Sequence, residues 1–409
     1  MFSCANCGTQ TLKWAGRCAE CQKWGTLTDE GERYGVVKGT KIKAAAVLSF
    51  PTLGNDGNGR NATGIAEFDR VLGGGLVKGQ VVLLAGEPGI GKSTLLAGIA
   101  ETFRQSNIFY IAGEESPEQL ALRFSRMKKN TDGISLLTET AVESLISAIR
   151  ERKPALVIVD SIQTITTLSH DAALGAPTHL RAATAQFIAV AKELGIPMIL
   201  VGQITKDGLV AGPKLLEHMV DTVLSFSGDP RHAYRILRAT KNRFGATDEV
   251  GVFEMKDEGL VGVPDASAVF YEGHAPSSGT AVTSVIDGAR AFILEVQALV
   301  NASSYGTPVR RGSGFSTNRL QMLLAILERH GKVSFTGADV YVNIVGGYAI
   351  KEPAADLAIL AALLSSKFDI ALPEKTFFAG EVGLGGEMRP APQKERRAKE
   401  AARLGFALP

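Results

Sequence analysis

A glycine-rich segment that follows a short apolar run places the strongest constraint on the fold. Residues Gly86–Thr94 read GEPGIGKST and match the full P-loop pattern G-x4-G-K-[ST]. The run Val81–Ala85 before it has strand character, and Leu95–Phe103 after it reads as a helix. In that setting backbone N–H groups converge on phosphates at a helix N-terminus, whose dipole favours anions. The sequence therefore predicts a nucleotide-binding α/β domain.

The P-loop pattern also predicts roles for side chains. Lys92 is expected to reach the β- and γ-phosphates, and the Ser93 hydroxyl is expected to ligate Mg²⁺. The alternative is a glycine-rich turn with a purely structural role, but the flanking strand and helix argue against a chance match. We expect the whole segment to contact the nucleotide, namely Gly86, Glu87, Pro88, Gly89, Ile90, Gly91, Lys92, Ser93 and Thr94.

Apolar runs alternate with helical patterns after the P-loop. The helical patterns lie at Val142–Arg152 and Leu180–Leu194. This alternation predicts a mainly parallel sheet that is covered by helices on both faces. The runs with strand character lie at Ile108–Gly113, Leu156–Asp160, Met198–Gln203 and Thr222–Phe226.

Polar residues end three of these strands, at the sheet edge where ligands gather. Asp160 is expected to hold the water shell of Mg²⁺ as a Walker B carboxylate, with an ordinary strand-end or capping residue as the alternative. One of Glu114 and Glu115 could orient or deprotonate the attacking water, although this stretch also looks like a helix start. Gln203 could sense the γ-phosphate through its amide, or simply satisfy a turn.

A basic turn follows the predicted strand Ala233–Thr240. Lys241 and Arg243 stand two residues apart beside Gly245, and together they could reach a phosphate. Because they come late in the core, they could act on the nucleotide of a neighbouring subunit, as an arginine finger does. The alternative from the residues alone is a solvated basic turn.

The cysteines are confined to the first 21 residues, in the spacing C-x2-C, ten residues, C-x2-C. Two such knuckles can offer four thiolates to one tetrahedral Zn²⁺, which would supply the folding energy of so short a segment. Two disulfides or a redox pair are the alternative. We expect a structural zinc site, since four protein ligands leave no open position; the ligands are Cys4, Cys7, Cys18 and Cys21.

Composition and charge limit the classes of function. The net charge is +2, from 44 basic and 42 acidic residues, which excludes a surface that is basic all over but allows a local basic patch. No apolar run approaches the ~20 residues that a membrane-spanning helix needs. The first residues have neither the basic nor the apolar region of a signal peptide, so we expect a cytoplasmic protein.

The chain of 409 residues is long enough for two or three domains. Residues from about Glu30 to Asn61 are turn-rich and read as a linker, with one short strand at Ala45–Phe50. The predicted organisation is a four-cysteine zinc finger at residues 1–30, a linker at 31–61, an ATPase domain at 62–272 and a C-terminal domain at 277–409.

The order of these features resembles the bacterial RadA (Sms) family of DNA recombination and repair proteins. The resemblance covers essentially the whole chain and includes Cys4–Gly8, Lys13–Cys21, Leu72–Leu76 and the sequence KNRFG at Lys241–Gly245. It implies a RecA-type ATPase core that uses ATP and Mg²⁺, a homohexameric ring, and translocation on DNA. It also implies that Lys241 and Arg243 serve ATP turnover across subunits and DNA engagement. Gln203 departs from the histidine expected of the family.

The part from Ser277 to Pro409 resembles the Lon protease domain. The matching segment is Lys351–Asp356, in which Ala355 stands where Lon has its serine. Alanine offers no nucleophile, so proteolysis is not expected. Lys394 lies near the position of the Lon lysine but not in clear register. The resemblance implies an α+β scaffold for ring assembly. The chain stops earlier than members of the family usually do, so we expect a last strand and helix to be missing.

The expected DNA contacts lie in three stretches. Channel-facing loops are predicted at Thr166–His179 and Thr205–Lys214. The phosphate partners available there and just beyond are Lys206, Lys214 and Arg181. The third stretch could face DNA phosphates or be a solvated helix face; its six cations are Arg389, Lys394, Arg396, Arg397, Lys399 and Arg403.

The preferred interpretation is an ATPase that translocates on single-stranded DNA and promotes branch migration or extension of recombination intermediates. Its expected partners are single-stranded and branched DNA and the RecA recombinase. A DNA-binding scaffold whose ATP binding only drives assembly is the alternative from another class. An ATP-dependent protease is a third possibility, and Ala355 speaks against it.

Overall fold

The computed structural model shows two compact units, Met1–Gly57 and Asn58–Pro409. No described helix is long and apolar enough to cross a membrane. The predicted strand Ala45–Phe50 lies outside the described residues. The structure describes residues 2–4, 6, 9–11, 13–29, 59–103, 107–168, 176–203, 213–228, 233–265, 267, 270–271, 275–303 and 306–407.

The first unit contains a small antiparallel sheet. Its strands are β1 (Phe2–Cys4), β2 (Gln10–Thr11) and β3 (Leu27–Asp29), in the order β2-β1-β3. Cys4 and Cys18 are buried beside Leu27 and form the centre of its core. A core this small needs a further source of folding energy, such as a bound metal ion.

The second unit begins with a short strand pair and a helix. Strand β4 (Arg60–Asn61) pairs with β5 (Leu76–Val77), and α1 (Ala66–Leu72) lies between them in the chain. The last two residues of the predicted linker thus form a strand of this unit.

A nine-stranded sheet follows, in the order β14-β13-β12-β11-β6-β10-β9-β7-β8. The six neighbouring strands β11, β6, β10, β9, β7 and β8 pair in parallel, which confirms the predicted parallel α/β core. The edge from β12 to β14 is antiparallel, because its short connections leave no room for a crossover helix. The strands are β6 (Val81–Gly86), β7 (Ile108–Ala112), β8 (Ile134–Leu137), β9 (Leu156–Asp160), β10 (Met198–Gln203), β11 (Thr222–Ser227), β12 (Tyr234–Asn242), β13 (Val250–Lys256) and β14 (Gly259–Gly262).

Helices cover both faces of this sheet. Alternate residues of β6 enter opposite cores, with Val82 and Leu84 on one side and Val81 and Leu83 on the other. The helix bounds of Val142–Arg152 are confirmed, whereas the helix predicted from Leu180 begins three residues earlier at Pro177, a favoured first position. The remaining helices are α2 (Lys92–Thr102), α3 (Pro117–Arg126), α4 (Val142–Arg152), α5 (Pro177–Leu194) and α6 (Pro213–Glu217).

The C-terminal part builds its own mixed sheet, in the order β15-β16-β18-β17. The helix predicted over Pro353–Ser366 begins as a 3-10 turn at Pro353–Ala355 and continues as an α-helix to Phe368. The elements are β15 (Thr280–Asp287), β16 (Arg290–Ala302), β17 (Arg310–Ser313), α7 (Thr317–Arg329), β18 (Ala338–Ile344), α8 (Asp356–Phe368), β19 (Gly380–Val382), β20 (Met388–Pro390) and α9 (Lys394–Arg403).

Ion pairs join the nine-stranded sheet and helix α1 to the C-terminal sheet. Arg238 of β12 contacts Asp287 of β15, which also accepts a hydrogen bond from the Tyr348 hydroxyl at 2.6 Å. Burial opposes ionisation of Asp287, but the bonds from Arg238 and Tyr348 outweigh it and lower its pKa. A second pair joins Arg290 to the fully buried Glu67 of α1 at 2.7 Å.

The cation-rich stretch around α9 does not present all its charges to solvent. Arg397 is 1% exposed, donates to the Ser284 carbonyl at 2.6 Å and pairs with Glu352. Arg403 pairs with Asp265 at 2.7 Å. The hypothesis of a DNA-facing or solvated position is therefore wrong for Arg397, because this side chain fastens α9 to β15.

Candidate nucleotide site

The P-loop connects the end of β6 to the start of α2, as predicted. Gly86 lies against β11 so closely that a Cβ atom would be 2.5 Å from the Phe226 carbonyl oxygen. Gly89 and Gly91 have φ angles of 75° and 111°, in the left-handed region that favours glycine. The two glycines that the pattern requires are thus explained by close packing at Gly86 and by backbone conformation at Gly91, and Gly89 adds a third glycine with a left-handed backbone.

Lys92 is the first residue of α2 and is 7% exposed. Its Nζ donates to the carbonyl oxygens of Gly86 and Glu87, both at 2.9 Å. Burial lowers the pKa of Lys92, while the negative charges of Asp160 and Glu114 oppose this shift. The ammonium group is thereby held beside the loop and close to the acidic residues of the site.

Asp160 ends β9, which is separated from the P-loop strand β6 by β10, and it is the residue for which the sequence predicted a Walker B role. One of its carboxylate oxygens accepts a hydrogen bond from the Tyr110 hydroxyl at 3.0 Å. Burial and the adjacent Asp160 charge raise the pKa of Tyr110, so the hydroxyl remains a donor. The sequence interpretation missed Tyr110, because an aromatic residue within a strand reads as core.

The two adjacent glutamates have different surroundings. The Glu114 carboxylate accepts two bonds from the Gln203 amide, at 2.8 and 3.0 Å, and one from the Ser161 hydroxyl. Glu115 instead pairs with Arg123 of α3. The structure thus brings Glu114, not Glu115, together with the end of β10. The sequence signal for Ser161 was its position directly after Asp160.

The basic turn lies at the edge of the sheet where the parallel strands begin, opposite the edge where β6 ends in the P-loop. Strand β12 runs antiparallel to β11, which in turn pairs with β6. Thr222 of β11 pairs with Asn242 on one side and with Val82, near the start of β6, on the other. Gly86 lies four residues further along β6, which is about 13 Å at about 3.3 Å per residue. Lys241 and Arg243 are therefore remote from the P-loop of their own chain.

Both cations of this turn have partners within the chain. Lys241 donates to the carbonyl oxygens of Glu217 and Val220 at 2.8 and 2.7 Å, at the C-terminal end of α6. Arg243 pairs with Asp221 at 3.3 Å, but its side chain remains 52% exposed. Burial and the nearby Arg243 charge lower the pKa of Lys241. The sequence missed Asp221, which is buried and also accepts from the Val81 N–H at 3.1 Å.

The segment Leu72–Leu76, which is one of the stretches similar to the RadA family, packs on this basic turn. Asn242 donates to the Leu72 carbonyl at 3.3 Å, and Arg60 donates to the carbonyls of Leu72 and Gly75 as well as to Phe244. The segment Leu72–Leu76 and the KNRFG sequence, far apart in the chain, therefore form one surface.

The thiol groups of Cys4, Cys18 and Cys21 lie within 4.8 Å of one another. Cys7 lies outside the described residues. The Sγ atoms of Cys4 and Cys21 are 3.6 Å apart, too far for a disulfide bond of about 2.0 Å and near the ~3.8 Å between two sulfurs bound tetrahedrally to one Zn²⁺. The thiols present thus fit a metal ion better than a Cys4–Cys21 disulfide.

Comparison with known proteins decides the family. Residues 56–208 match a family model described as an AAA domain, and residues 2–29 match one described as a rubredoxin metal binding domain. The DNA repair protein RadA of Brucella abortus is 46% identical over 99% of this chain and 90% of its own length. The RadA proteins of Aquifex aeolicus and Bacillus subtilis are 43% and 42% identical, over 99% of this chain and 91% and 90% of their own lengths.

The chain belongs to the RadA family of DNA repair proteins. The second unit has the fold of a RecA-like ATPase core, in which the P-loop lies between β6 and α2 and Asp160 lies at the end of β9. RadA family membership and the AAA domain together identify a DNA repair protein that hydrolyses ATP. The zinc ribbon precedes this core at the N-terminal end of the chain.

Proposed function

We propose that this RadA family member is a DNA-dependent ATPase that translocates on single-stranded DNA and promotes branch migration or extension of recombination intermediates. The position of Arg243 is the observation that carries the proposal. It is exposed, basic and about 13 Å along the sheet from its own P-loop. It can therefore serve a nucleotide only if a second copy presents its P-loop to this surface.

Each residue of the site has a role in the proposed reaction. Lys92 binds the β- and γ-phosphates. Ser93 would ligate Mg²⁺, and Asp160 would hold the water molecules around that ion. Glu114 orients or deprotonates the attacking water. Arg243 of the adjacent copy stabilises negative charge in the transition state, and Lys241 positions the turn through its bonds at the end of α6.

The assembly and partners belong to the same proposal. We infer a cytoplasmic homohexamer that binds single-stranded and branched DNA and cooperates with the RecA recombinase. Zn²⁺ is bound by the four predicted cysteines. The zinc finger ends at residue 30 and the ATPase domain at residue 272, whereas the linker ends before β4 and not at residue 61. The C-terminal domain is a Lon-like assembly scaffold without protease activity. Ala355, which replaces the serine, is fully buried and has no nucleophilic atom.

The test compares ATP turnover, with and without single-stranded DNA, in the parent chain, Lys92→Ala and Arg243→Ala. Each variant alone is expected to lose DNA-stimulated turnover. Mixing the two inactive variants should restore part of it, because some interfaces then combine an intact P-loop with an intact Arg243. Arg152→Ala is the matched control, since Arg152 is 72% exposed and lies in α4.

Two results would contradict the proposal. If mixing restores nothing although both variants assemble with each other, Arg243 does not act across subunits. If turnover ignores DNA while ATP still tightens DNA binding, the chain is not a motor. Directional strand displacement by the parent chain separates translocation from DNA-stimulated hydrolysis without movement.

One observation favours the ATP-gated scaffold as a second candidate. Both carboxylate oxygens of Glu114 accept bonds from Gln203, so the group is not free to activate water in this conformation. A chain that kept this arrangement with ATP bound would turn over slowly and use ATP for assembly. Such a scaffold would bind DNA tightly with a non-hydrolysable ATP analogue and show no strand displacement.

A further inference from the structure

Arg235, near the start of β12, is a buried cation in contact with the P-loop. Its side chain is 4% exposed, and its Nε donates to the carbonyl oxygen of Ile90 at 3.1 Å. Its Nη1 donates to the Tyr234 carbonyl at 2.9 Å. We propose that Arg235 is a positioning residue of the nucleotide site, which fixes the orientation of the peptide between Ile90 and Gly91.

The geometry of the peptide bond explains how such a contact would act. The Ile90 carbonyl and the Gly91 N–H belong to one planar trans peptide, so they point in opposite directions. A donor that holds the Ile90 oxygen on one side therefore directs the Gly91 N–H to the other. P-loops bind phosphates through N–H groups of this kind, and their direction must be set before the nucleotide arrives.

The backbone at this peptide needs such a restraint. Gly91 has a φ of 111°, and a glycine peptide is free to rotate among several conformations. Met255 and Leu260 pack beside Gly91, and a Cβ atom there would meet Met255 at 2.9 Å. Apolar contacts limit the space around the loop but do not choose which way a peptide dipole points, whereas a buried guanidinium does.

Arg238 provides a matched comparison on the same strand. It stands three residues further along β12 and pairs with Asp287 of the C-terminal sheet, so it contacts a different part of the molecule. Both arginines are charged and anchored, but Arg235 is the one that donates to the P-loop. A general loss of folded structure should follow from replacing either residue, whereas a specific loss of nucleotide binding should follow from replacing Arg235.

The experiment measures the Kd of a fluorescent ATP analogue with Mg²⁺, and the thermal midpoint without nucleotide, in the full chain. Arg235→Met keeps the apolar stem and removes the donor. We expect its Kd to rise about tenfold, ~1.4 kcal/mol, with the turnover of bound ATP far less affected. Arg235→Lys keeps the charge but has a methylene in place of Nε, so its Kd should rise less. Arg238→Met should lower the midpoint and leave the Kd unchanged.

A folded Arg235→Met protein with the parent Kd would overturn the proposal. An equal rise in Kd for Arg235→Met and Arg238→Met would also overturn it, since the effect would then be general. Should Arg235→Met fail to fold, Arg235→Lys decides, and an unchanged Kd in that variant rejects the assignment. None of these readouts contains DNA, so they are independent of the proposed motor activity.

Discussion

At the scale of single residues, the environment separates side chains that are adjacent in the chain. Glu114 and Glu115 follow the end of β7, but one is bonded by Gln203 and the other pairs with Arg123. The chain bends at these two residues, and only Glu114 contacts the end of β10. The proposed water-activating role therefore belongs to Glu114 rather than Glu115.

Replacing these glutamates one at a time tests the assignment. Glu114→Gln keeps the size of the side chain but cannot accept a proton, so we expect the kcat for ATP to fall by about 10²-fold or more, with ATP binding retained. Glu115→Gln serves as the control and should keep most of the turnover. Comparable losses in the two variants, measured under saturating ATP, would refute the distinction.

At the scale of elements, buried ion pairs fasten the helices of the C-terminal part to its sheet. Arg397 of α9 pairs with Glu352, and Arg319 of α7 pairs with the buried Asp356 at the start of α8. A buried charge is costly to leave without its partner. These pairs therefore define where each helix docks, in addition to the apolar contacts.

Arg397→Ala should lower the free energy of unfolding by about 3–5 kcal/mol, because it leaves Glu352 without its buried partner. Arg396→Ala is the matched control, since Arg396 is adjacent to Arg397, is exposed and contacts only the nearby Gln393, the residue before α9, among the contacts described for it. The denaturant midpoint of each variant gives the result. Equal midpoints for the two variants would show that the Arg397 pair does not hold α9 in place.

The N-terminal unit allows a direct test of metal-dependent folding. Both tryptophans of the chain, Trp14 and Trp24, lie in this unit. Removing the metal with a strong chelator should unfold the unit, because thiolate ligation supplies its folding energy. Unfolding separates Arg17 from the ring of Trp24, so it should shift tryptophan emission although both rings are already exposed. Added Zn²⁺ should reverse the shift. Unchanged emission after verified loss of metal would contradict a structural zinc site.

At the scale of the whole second unit, strand β12 connects several functional regions. Arg235 contacts the P-loop, Arg238 contacts the C-terminal sheet, and Lys241 and Arg243 lie at the opposite edge of the ATPase sheet. Ile236 packs into the core of the C-terminal part, whereas Leu237 packs into the ATPase core. A strand held on both faces can transmit a displacement at one end to the other.

The ion pair between Arg238 and Asp287 predicts an acid-sensitive joint. The pKa of Asp287 lies below its ordinary value of 3.8, so the pair contributes stability above that pH and loses it as the pH falls through the lower folded value. Asp287→Asn should be less stable than the parent at pH 7, and the difference should shrink below about pH 4. Thermal midpoints across this range give the measurement, and a constant difference would exclude the Asp287 charge as the cause.

The local patterns of the sequence were sufficient for the parts of this protein that depend on a short stretch of chain. The P-loop between β6 and α2, the strand ending at Asp160 and the helix Val142–Arg152 are set by local spacing and periodicity. The spacing of the cysteines likewise predicted a metal-binding module, and the family comparison supports that module.

The tertiary structure decided the features that depend on which strands become neighbours. Only the strand order places Gln203 beside Glu114, Arg235 beside Ile90, and the basic turn at the edge opposite the P-loop. It also buried Arg397, whose charge pattern on a helix reads as solvent-exposed. Hydrogen bonds and ion pairs between distant segments depend on position in space, and a sequence records position only along the chain.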